Sequence, residues 1–417
     1  MIELKMFPAS YGDSFLLTCK GNRRTHIIID MGFSSTYENF IKYELQKIRN
    51  DGISLLIFTH VDEDHILGGI KFLKQNKCAN PENKIDIGEI WYNSFRHIQF
   101  EKAEKNNSYT SQNSYIEDLL KRGHPRELGT REVSDVGYVQ GSTIASLILD
   151  NNYLSIWNKS FDYQAVMVSS DITKKYVIND EVVITLLSPN SENLDLLSQK
   201  WAAKLASVGY SGIIDSEEIM DDAFEIYMSN QQFEHKKRRV DNVSSFTQSI
   251  EEISKKPFEP DTAEINGSSI AFILEFEGKR LLFLGDSHSD VVEHNLRKLL
   301  KQTNNDEEKL WFDLVKVSHH GSKFNTSVDL LNLIASNKYV FSTNGRGKNF
   351  SHPDIETIYR IVSTDKTKNK ELIFNYKPIR ILNKFNQPEL LNEYSYSIKY
   401  NNDMALPGKE VTTEIII

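Results

Sequence analysis

Along the first 95 residues, apolar positions fall into short β-rich runs that alternate with helical periodicity. Ser14–Cys19 and His26–Asp30 are runs of strand formers separated by the turn-prone Gly21–Asn22. Tyr37–Ile48 repeats its apolar residues at helical spacing, and Ile53–Phe58 is a continuous apolar run of the buried-strand kind. Ile66–Gln75 returns to the helical period and Glu89–Tyr92 predicts another strand. The pattern loosens from about residue 95 to 262. There Glu104–Gln112 reads as loop, Gly141–Leu149 as a short helix, and Val182–Leu187 as a strand that ends at Ser188–Pro189. Residues from about 190 to 262 are polar, mostly helical in pattern and poor in strand formers, which predicts an insertion. Strand character resumes in Ile270–Phe276 and Arg280–Leu284, a hairpin across Glu277–Gly278. Leu314–Ser318, a helix from about Val328, Tyr339–Thr343 and a helix from about Ile355 complete a layered α/β pattern with no solenoid repeat.

Length and composition narrow this picture. At 417 residues the chain suits one large α/β domain with an insertion or two domains, and the expectation is a single domain over 1–417. Hydrophobic residues at 39% and charged residues at 26% are compatible with a packed core rather than disorder. The net charge of -9 means that any nucleic acid would have to be met by a local basic groove. Cys19 and Cys78 have no CxxC spacing, which excludes a disulfide scaffold and a cysteine zinc knuckle. The opening MIELKMFPASYGDSF has no charged-then-apolar signal pattern, and no apolar run approaches the roughly 20 residues that span a bilayer. A soluble, cytoplasmic protein without a membrane partner is expected.

Candidate chemistry gathers where apolar strands end. Thr59-His60-Val61-Asp62-Glu63-Asp64-His65 follows the buried run Ile53–Phe58 and precedes a helix. Strand ends collect ligand sites in α/β folds, and His60, Asp62, Asp64 and His65 are all metal-ligand types. The plain alternative is a solvated loop with a helix N-cap. Against it stand three later stretches: Gly285-Asp286-Ser287-His288 after Leu281–Leu284, His319-His320-Gly321-Ser322 after Val315–Ser318, and His352-Pro353 after Tyr339–Thr343. Each is weak alone. Their recurrence at the same relative place favours a shared metal centre.

These residues resemble the metallo-β-lactamase-fold hydrolases, which carry a His-x-His/Asp-x-Asp-His loop, then Gly-Asp, then a late histidine. More narrowly, the chain is similar to the hydrolase domain of ComEC-type DNA-uptake proteins and its stand-alone bacterial relatives. The likeness rests on YGDSF, IIIDMG, HVDEDHILGG, NGSSIAFILEFEGKRLLFLGD, VSHHGS and SHP, and it brackets residues 10–355 with 95–262 only loosely matched. YLSIWN, ITLLSP and LSQKW resemble stand-alone members, some of which sit among anti-phage genes. The resemblance implies a four-layer αββα sandwich holding two divalent ions, zinc or manganese. It implies His60 and Asp62 on one ion, Asp64 and His65 on the other, and Asp286 between them. His319 or His320, together with His352, would supply a last ligand and a proton donor, in an order left open. The residues implied to act directly in catalysis are Asp64, His320 and His352, with Asp30 behind the ligand loop. Two departures stand out: position 62 is Asp where many relatives have His, and Asn266 occupies the neighbourhood of the family's third histidine. More oxygen ligands shift the preference toward manganese or magnesium relative to zinc, and the first site would be weak.

The expected activity is metal-dependent hydrolysis of a phosphodiester in DNA, RNA or a nucleotide through metal-activated hydroxide. The competing expectation is a metal-binding structural or sensing subunit with little turnover, partnered by a neighbouring gene product. Lys236–Arg239, Lys121-Arg122 and Arg126 form charge runs that read either as a phosphate-tracking lip or as solvated helix faces. A redox or thioester role ranks third, because no flavin or other cofactor motif is present and Asp62 stands where the redox branch has Glu. Acyl-nucleophile chemistry finds no support, since Gly-x-Ser-x-Gly is absent and neither cysteine sits in a nucleophile signature.

Overall fold

The computed structural model describes residues 1–79, 81–99, 114–124, 143–208, 217–236, 252–253, 256–302, 308–345, 352–365, 369–400 and 411–417. Among these, two mixed sheets face each other. The first carries β1 (Ile2–Met6), β2 (Ser14–Lys20), β3 (Arg24–Met31), β4 (Leu55–Ile57), β5 (Ile90–Trp91) and the C-terminal β16 (Thr413–Ile416), in the order β16-β1-β2-β3-β4-β5. The second carries β6 (Tyr176–Ile178), β7 (Val182–Ser188), β8 (Ala271–Phe276), β9 (Lys279–Phe283), β11 (Leu314–Lys316), β13 (Lys338–Phe341), β14 (Lys370–Phe374) and β15 (Tyr396–Tyr400). Its order is β15-β14-β13-β11-β9-β8-β7-β6. A separate parallel pair joins β10 (Leu310–Phe312) to β12 (Ile334–Ser336).

Side-chain alternation turns these sheets into a four-layer sandwich. On β3, Ile27 and Ile29 point into the core between the sheets while Ile28 points outward, and on β4 Leu55 and Ile57 oppose Leu56 in the same way. Phe272, Leu274, Leu281 and Phe283 close the central core from the second sheet. The outer face of the first sheet is covered by helices Glu63–Cys78, Ile144–Asp150, Ser191–Ser207 and Glu217–Lys236. The outer face of the second is covered by Ser289–Gln302 and Ile355–Ser363. This is the αββα architecture that the resemblance implies.

Several elements depart from the periodicity. The helix expected at Ile66–Gln75 begins at Glu63, so Asp64 and His65 lie in its first turn rather than in a loop. Tyr37–Ile41 is a π-turn followed by the α-helix Lys42–Lys47. The stretch expected as an insertion carries the helices Ser191–Ser207 and Glu217–Lys236, while 256–262 is irregular, and buried carboxylates dock it. Glu225 accepts from Ile144 N at 2.9 Å and from the Tyr92 hydroxyl at 2.8 Å, while Asp221 accepts from Ser94 Oγ at 2.7 Å and Arg96 Nε at 2.6 Å. The loop expected at Glu104–Gln112 lies outside the described residues. Among the described residues no helix is long and apolar enough to cross a membrane.

Strand direction positions the site. β3, β4 and β5 run parallel, as do β9, β11 and β13, so their C-terminal ends deliver loops to one rim. The two halves are stitched there: Ile270 N donates to Thr59 O at 3.0 Å, and Ser342 Oγ donates to Gly12 O at 2.7 Å.

Candidate metal centre

Four imidazoles converge on one oxygen. Oδ2 of Asp286 lies 3.9 Å from His60 Nε2, 3.7 Å from His65 Nε2, 3.6 Å from His319 Nε2 and 3.7 Å from His320 Nε2. Asp62 Oδ2 stands 3.4 Å from His60 Nε2, and Asp64 Oδ2 stands 3.7 Å from His320 Nε2. These spacings exceed hydrogen-bond length and suit ligand atoms arranged around cations. Three groups, all sharing His65, have ligand atoms close enough for an ion: His60, His65 and Asp286; Asp64, His65 and His320; and Asp13, Asp30 and His65.

Each of these imidazoles is turned by a partner on its other nitrogen. His65 Nδ1 donates to Asp30 Oδ2 at 2.8 Å. Thr59 Oγ1 donates to the same Asp30 Oδ2 at 2.7 Å and can accept from His60 Nδ1 at 3.0 Å, so one carboxylate orients two imidazoles. His320 Nδ1 donates to the Ser342 carbonyl at 2.9 Å, and His319 Nδ1 faces Asn325 Oδ1 at 3.0 Å. Such outer partners fix the tautomer that leaves Nε2 free to ligate. The residues fit a metal by a direct criterion: Nε2 of His60, His65 and His320 are buried and make no hydrogen bond. Buried polar atoms in that state are rare unless something else satisfies them.

Asp62 occupies the N-cap of helix Glu63–Cys78, yet its side chain does not cap and is buried against His60. The solvated-cap reading therefore fails. His319 and His320 both adopt left-handed backbone, at φ 46° and 55°, and this turn aims two consecutive imidazoles at Asp286. Left-handed backbone in non-glycine residues concentrates at functional sites. Both histidines face the centre. Asn266 donates to Asp261 Oδ2 at 2.6 Å and lies 3.4 Å from His319 Nδ1, so the neighbourhood of the missing histidine backs His319. His352 stands at the edge, its ring centroid 5.2 Å from that of His319 and its Nδ1 3.3 Å from Asp354 Oδ2. It belongs to none of these groups. His288 turns away, its Nε2 3.0 Å from the Ala263 carbonyl.

Two further buried residues reach the centre, one of them inside the YGDSF stretch. Asp13, between β1 and β2, lies 3.2 Å from His320 Nδ1 through Oδ1, and its Oδ2 contacts Lys316 Nζ. Lys316 also donates to the Gly285 carbonyl at 3.0 Å and stands 3.9 Å from Asp286 Oδ1. A readable signal existed for it, since a lysine interrupts the apolar run Leu314–Val317.

The electrostatics follow from these contacts. Burial opposes the charged form of Asp286, but His319, His320 and His65 hold its carboxyl well below the usual range. Burial likewise disfavours protonated His65, and the carboxylates of Asp30 and Asp286 overcome it and push the pKa well up. His319 rises to about 9 against its burial, through Asp286 and Asp261. His352 moves the other way, lowered by burial and by the neighbouring imidazoles against the pull of Asp354. The pocket thus holds dense ionised carboxylate and draws positive charge.

Comparison with known proteins agrees with this geometry. Residues 8–144 match the family described as Metallo-beta-lactamase superfamily. The match spans β2 to β5 with the His60–His65 stretch between β4 and β5, and supports a metallo-β-lactamase domain there, which indicates a metal-dependent hydrolase. No curated protein matches the chain.

Proposed function

We propose that the chain is a phosphodiesterase that uses two divalent ions to cleave DNA, RNA or a nucleotide. The observation that carries this reading is the convergence of four oriented imidazoles and three carboxylates on the rim around Asp286 Oδ2. The carboxylates of Asp13, Asp30, Asp62, Asp64 and Asp286 are all buried around the centre, with Lys316 as the buried ammonium among them, and a setting this rich in buried carboxylate favours bound cations. His60 and Asp62 would hold one ion, Asp64, His65 and His320 the other, with Asp286 shared and His319 completing the set. The large oxygen share of this donor set favours manganese, and the imidazoles keep zinc competitive.

Bound ions would lower the pKa of a water and offset charge on the phosphoryl oxygens. The chain's own residues supply the rest. Asp30, Asn325 and Ser342 hold the imidazoles in one orientation before substrate arrives, so no reorganisation is needed during reaction. We assign proton transfer with the leaving oxygen to His352, whose Nδ1 lies 3.3 Å from Asp354 Oδ2 at the edge of the centre. The narrower likeness to ComEC-type hydrolase domains, carried by HVDEDHILGG and VSHHGS, supports a nucleic-acid substrate.

For the basic lip, Lys121 is exposed beside Glu117 and Asp118 of its own helix, at 3.8 and 4.0 Å, which is the pattern of a solvated face. Arg126 and residues 237–239 lie outside the described residues, as does the side chain of Lys236. Lys323 follows the His319–His320 turn, and its backbone N donates to Asp354 Oδ2 at 2.8 Å.

The test is hydrolysis of single- and double-stranded DNA, RNA, a cyclic dinucleotide and bis-p-nitrophenyl phosphate with added manganese or zinc. Chelator should abolish turnover, and Asp64→Ala and Asp286→Ala should each abolish it in folded protein. Full activity in either variant would defeat the assignment. A folded, metal-loaded chain inert on every substrate would instead favour the structural or sensing subunit.

A further inference from the structure

Lys316 is a buried cation inside a site built to collect cations, and that calls for a reason. Its ammonium would repel a divalent ion nearby, and a methionine would fill the same space without that cost. Three contacts define what it does. The Asp13 carboxylate and the Gly285 carbonyl grip its Nζ, and Asp286 Oδ1 lies 3.9 Å away. The two oxygens of Asp286 are therefore sorted: Oδ1 faces the ammonium, and Oδ2 faces the four imidazole Nε2 atoms. Oδ1 is buried and makes no hydrogen bond, so Lys316 is the positive charge that keeps it in place. Asp13 is in turn tied to the ligand loop, its backbone N donating to the Asp64 carbonyl at 3.3 Å.

We propose that Lys316, braced by Asp13, is a positioning residue that turns Asp286 so that one oxygen alone, Oδ2, is shared by two cations. The pair acts as a strut between the β1–β2 loop and the Gly285–Asp286 turn. This rests on the two-ion reading of the site and adds to it the device that keeps both ions on one oxygen.

The test compares wild type with the Asp13→Asn/Lys316→Met double variant, titrated with manganese and followed by calorimetry and electron paramagnetic resonance. The double variant removes one charge of each sign, so the summed field on the ions is nearly unchanged. Replacing a buried ion pair in this way is often tolerated by the fold. The amide introduced by Asp13→Asn would keep an oxygen toward His320. Wild type should bind two manganese ions and give the signal of an exchange-coupled pair. The double variant should stay folded, bind the second ion at least about tenfold more weakly and lose the coupled signal. Two ions bound with wild-type affinity and coupling would overturn the strut and leave the pair a structural buttress. If the double variant fails to fold, Asp13→Asn alone serves: it should weaken the second ion, and wild-type behaviour there would overturn the proposal equally. A wild-type chain that bound a single uncoupled ion would defeat the two-ion reading, and the strut with it.

Discussion

His319 faces Asp286 with Nε2 3.6 Å from Oδ2, and Asn325 holds the opposite ring nitrogen at 3.0 Å. Asn325 also donates from Nδ2 to Asp261 Oδ2 at 3.0 Å and to the Asp286 carbonyl at 3.2 Å, so one amide locks both the imidazole and the turn that carries the carboxylate. Asn325→Ala should lower metal affinity by about 10–100-fold, the range typical for loss of an orienting partner. Asn325→Asp keeps the acceptor and should retain more. Competition against a chromogenic chelator measures both, and an unchanged affinity in Asn325→Ala would remove Asn325 from the account.

Asp30 serves two imidazoles and also accepts from the Thr59 backbone N at 2.8 Å. Asp30→Asn replaces a carboxylate that only accepts with an amide that must turn an N–H toward one of three donors. Metal affinity should fall at both ions together. Stability of the metal-free protein should fall by about 3–5 kcal/mol, the usual cost of breaking a buried ion pair. Urea unfolding with and without manganese separates the two effects. Loss at one ion alone would contradict the shared role.

The β1–β2 loop reaches the ligand helix because residue 12 is glycine. A Cβ there would lie 1.9 Å from the Asp64 carbonyl oxygen, a rigid backbone atom. Gly12→Ala should push the loop and the Asp64 turn apart, costing about 1–3 kcal/mol as overpacked cores do, and it should weaken manganese binding as well. A drop in melting temperature without any change in metal affinity would show that the loop does not help shape the centre.

How much of this was readable in advance differs from element to element. The hairpin of β8 and β9 and the strands β2, β3 and β4 announced themselves through continuous apolar runs. The edge strand β16 did not, because it is defined by pairing with β1 across nearly the whole chain, Glu3 opposite Ile416. The helix Ser289–Gln302 has a single narrow apolar face, buried through Val292 and Leu296, which its many polar and charged residues mask in the sequence. At the site, His60, Asp62, Asp64, His65 and Asp286 stood out because histidine and aspartate recur at strand ends. Asp13, Lys316, Asn325 and Asp261 are common residue types whose meaning lies in what they touch. Their partners are remote in sequence or hidden in a turn, and spacing alone does not reveal such contacts.

Lys323 offers a way to separate nucleic-acid contact from chemistry. It follows the His319–His320 turn, and its ammonium lies 5.0 Å from the centre of the Phe324 ring. If a nucleic-acid backbone crosses this edge of the site, Lys323→Ala should raise KM for an oligonucleotide several-fold and lower the slope of affinity against salt by about one. Turnover of bis-p-nitrophenyl phosphate, which has no neighbouring phosphates, should change little. Equal losses on both substrates would place Lys323 in the support of Asp354 rather than in substrate binding.

His97 predicts a pH dependence that belongs to the fold and not to the metals. It closes the short helical turn Phe95–His97, accepts from Ser94 N at 3.2 Å through Nδ1, and packs edge-on against Trp157 with ring centroids 4.6 Å apart. Burial, with the Arg96 guanidinium beside it, pushes its pKa down to about 3. The unfolded chain protonates the same group near pH 6.5. Between those values the unfolded state holds a proton that the folded state refuses, so stability is complete above about pH 6.5 and falls by about 1.4 kcal/mol per pH unit as acidity rises toward pH 3. His97→Gln keeps an acceptor for Ser94 N and removes the titration. Urea unfolding of the chelated protein between pH 4.5 and 6.5 should therefore show a flatter stability profile for His97→Gln than for wild type, by about 2–3 kcal/mol across the interval. Parallel profiles would mean that the folded chain admits a proton at His97, in conflict with its buried acceptor geometry.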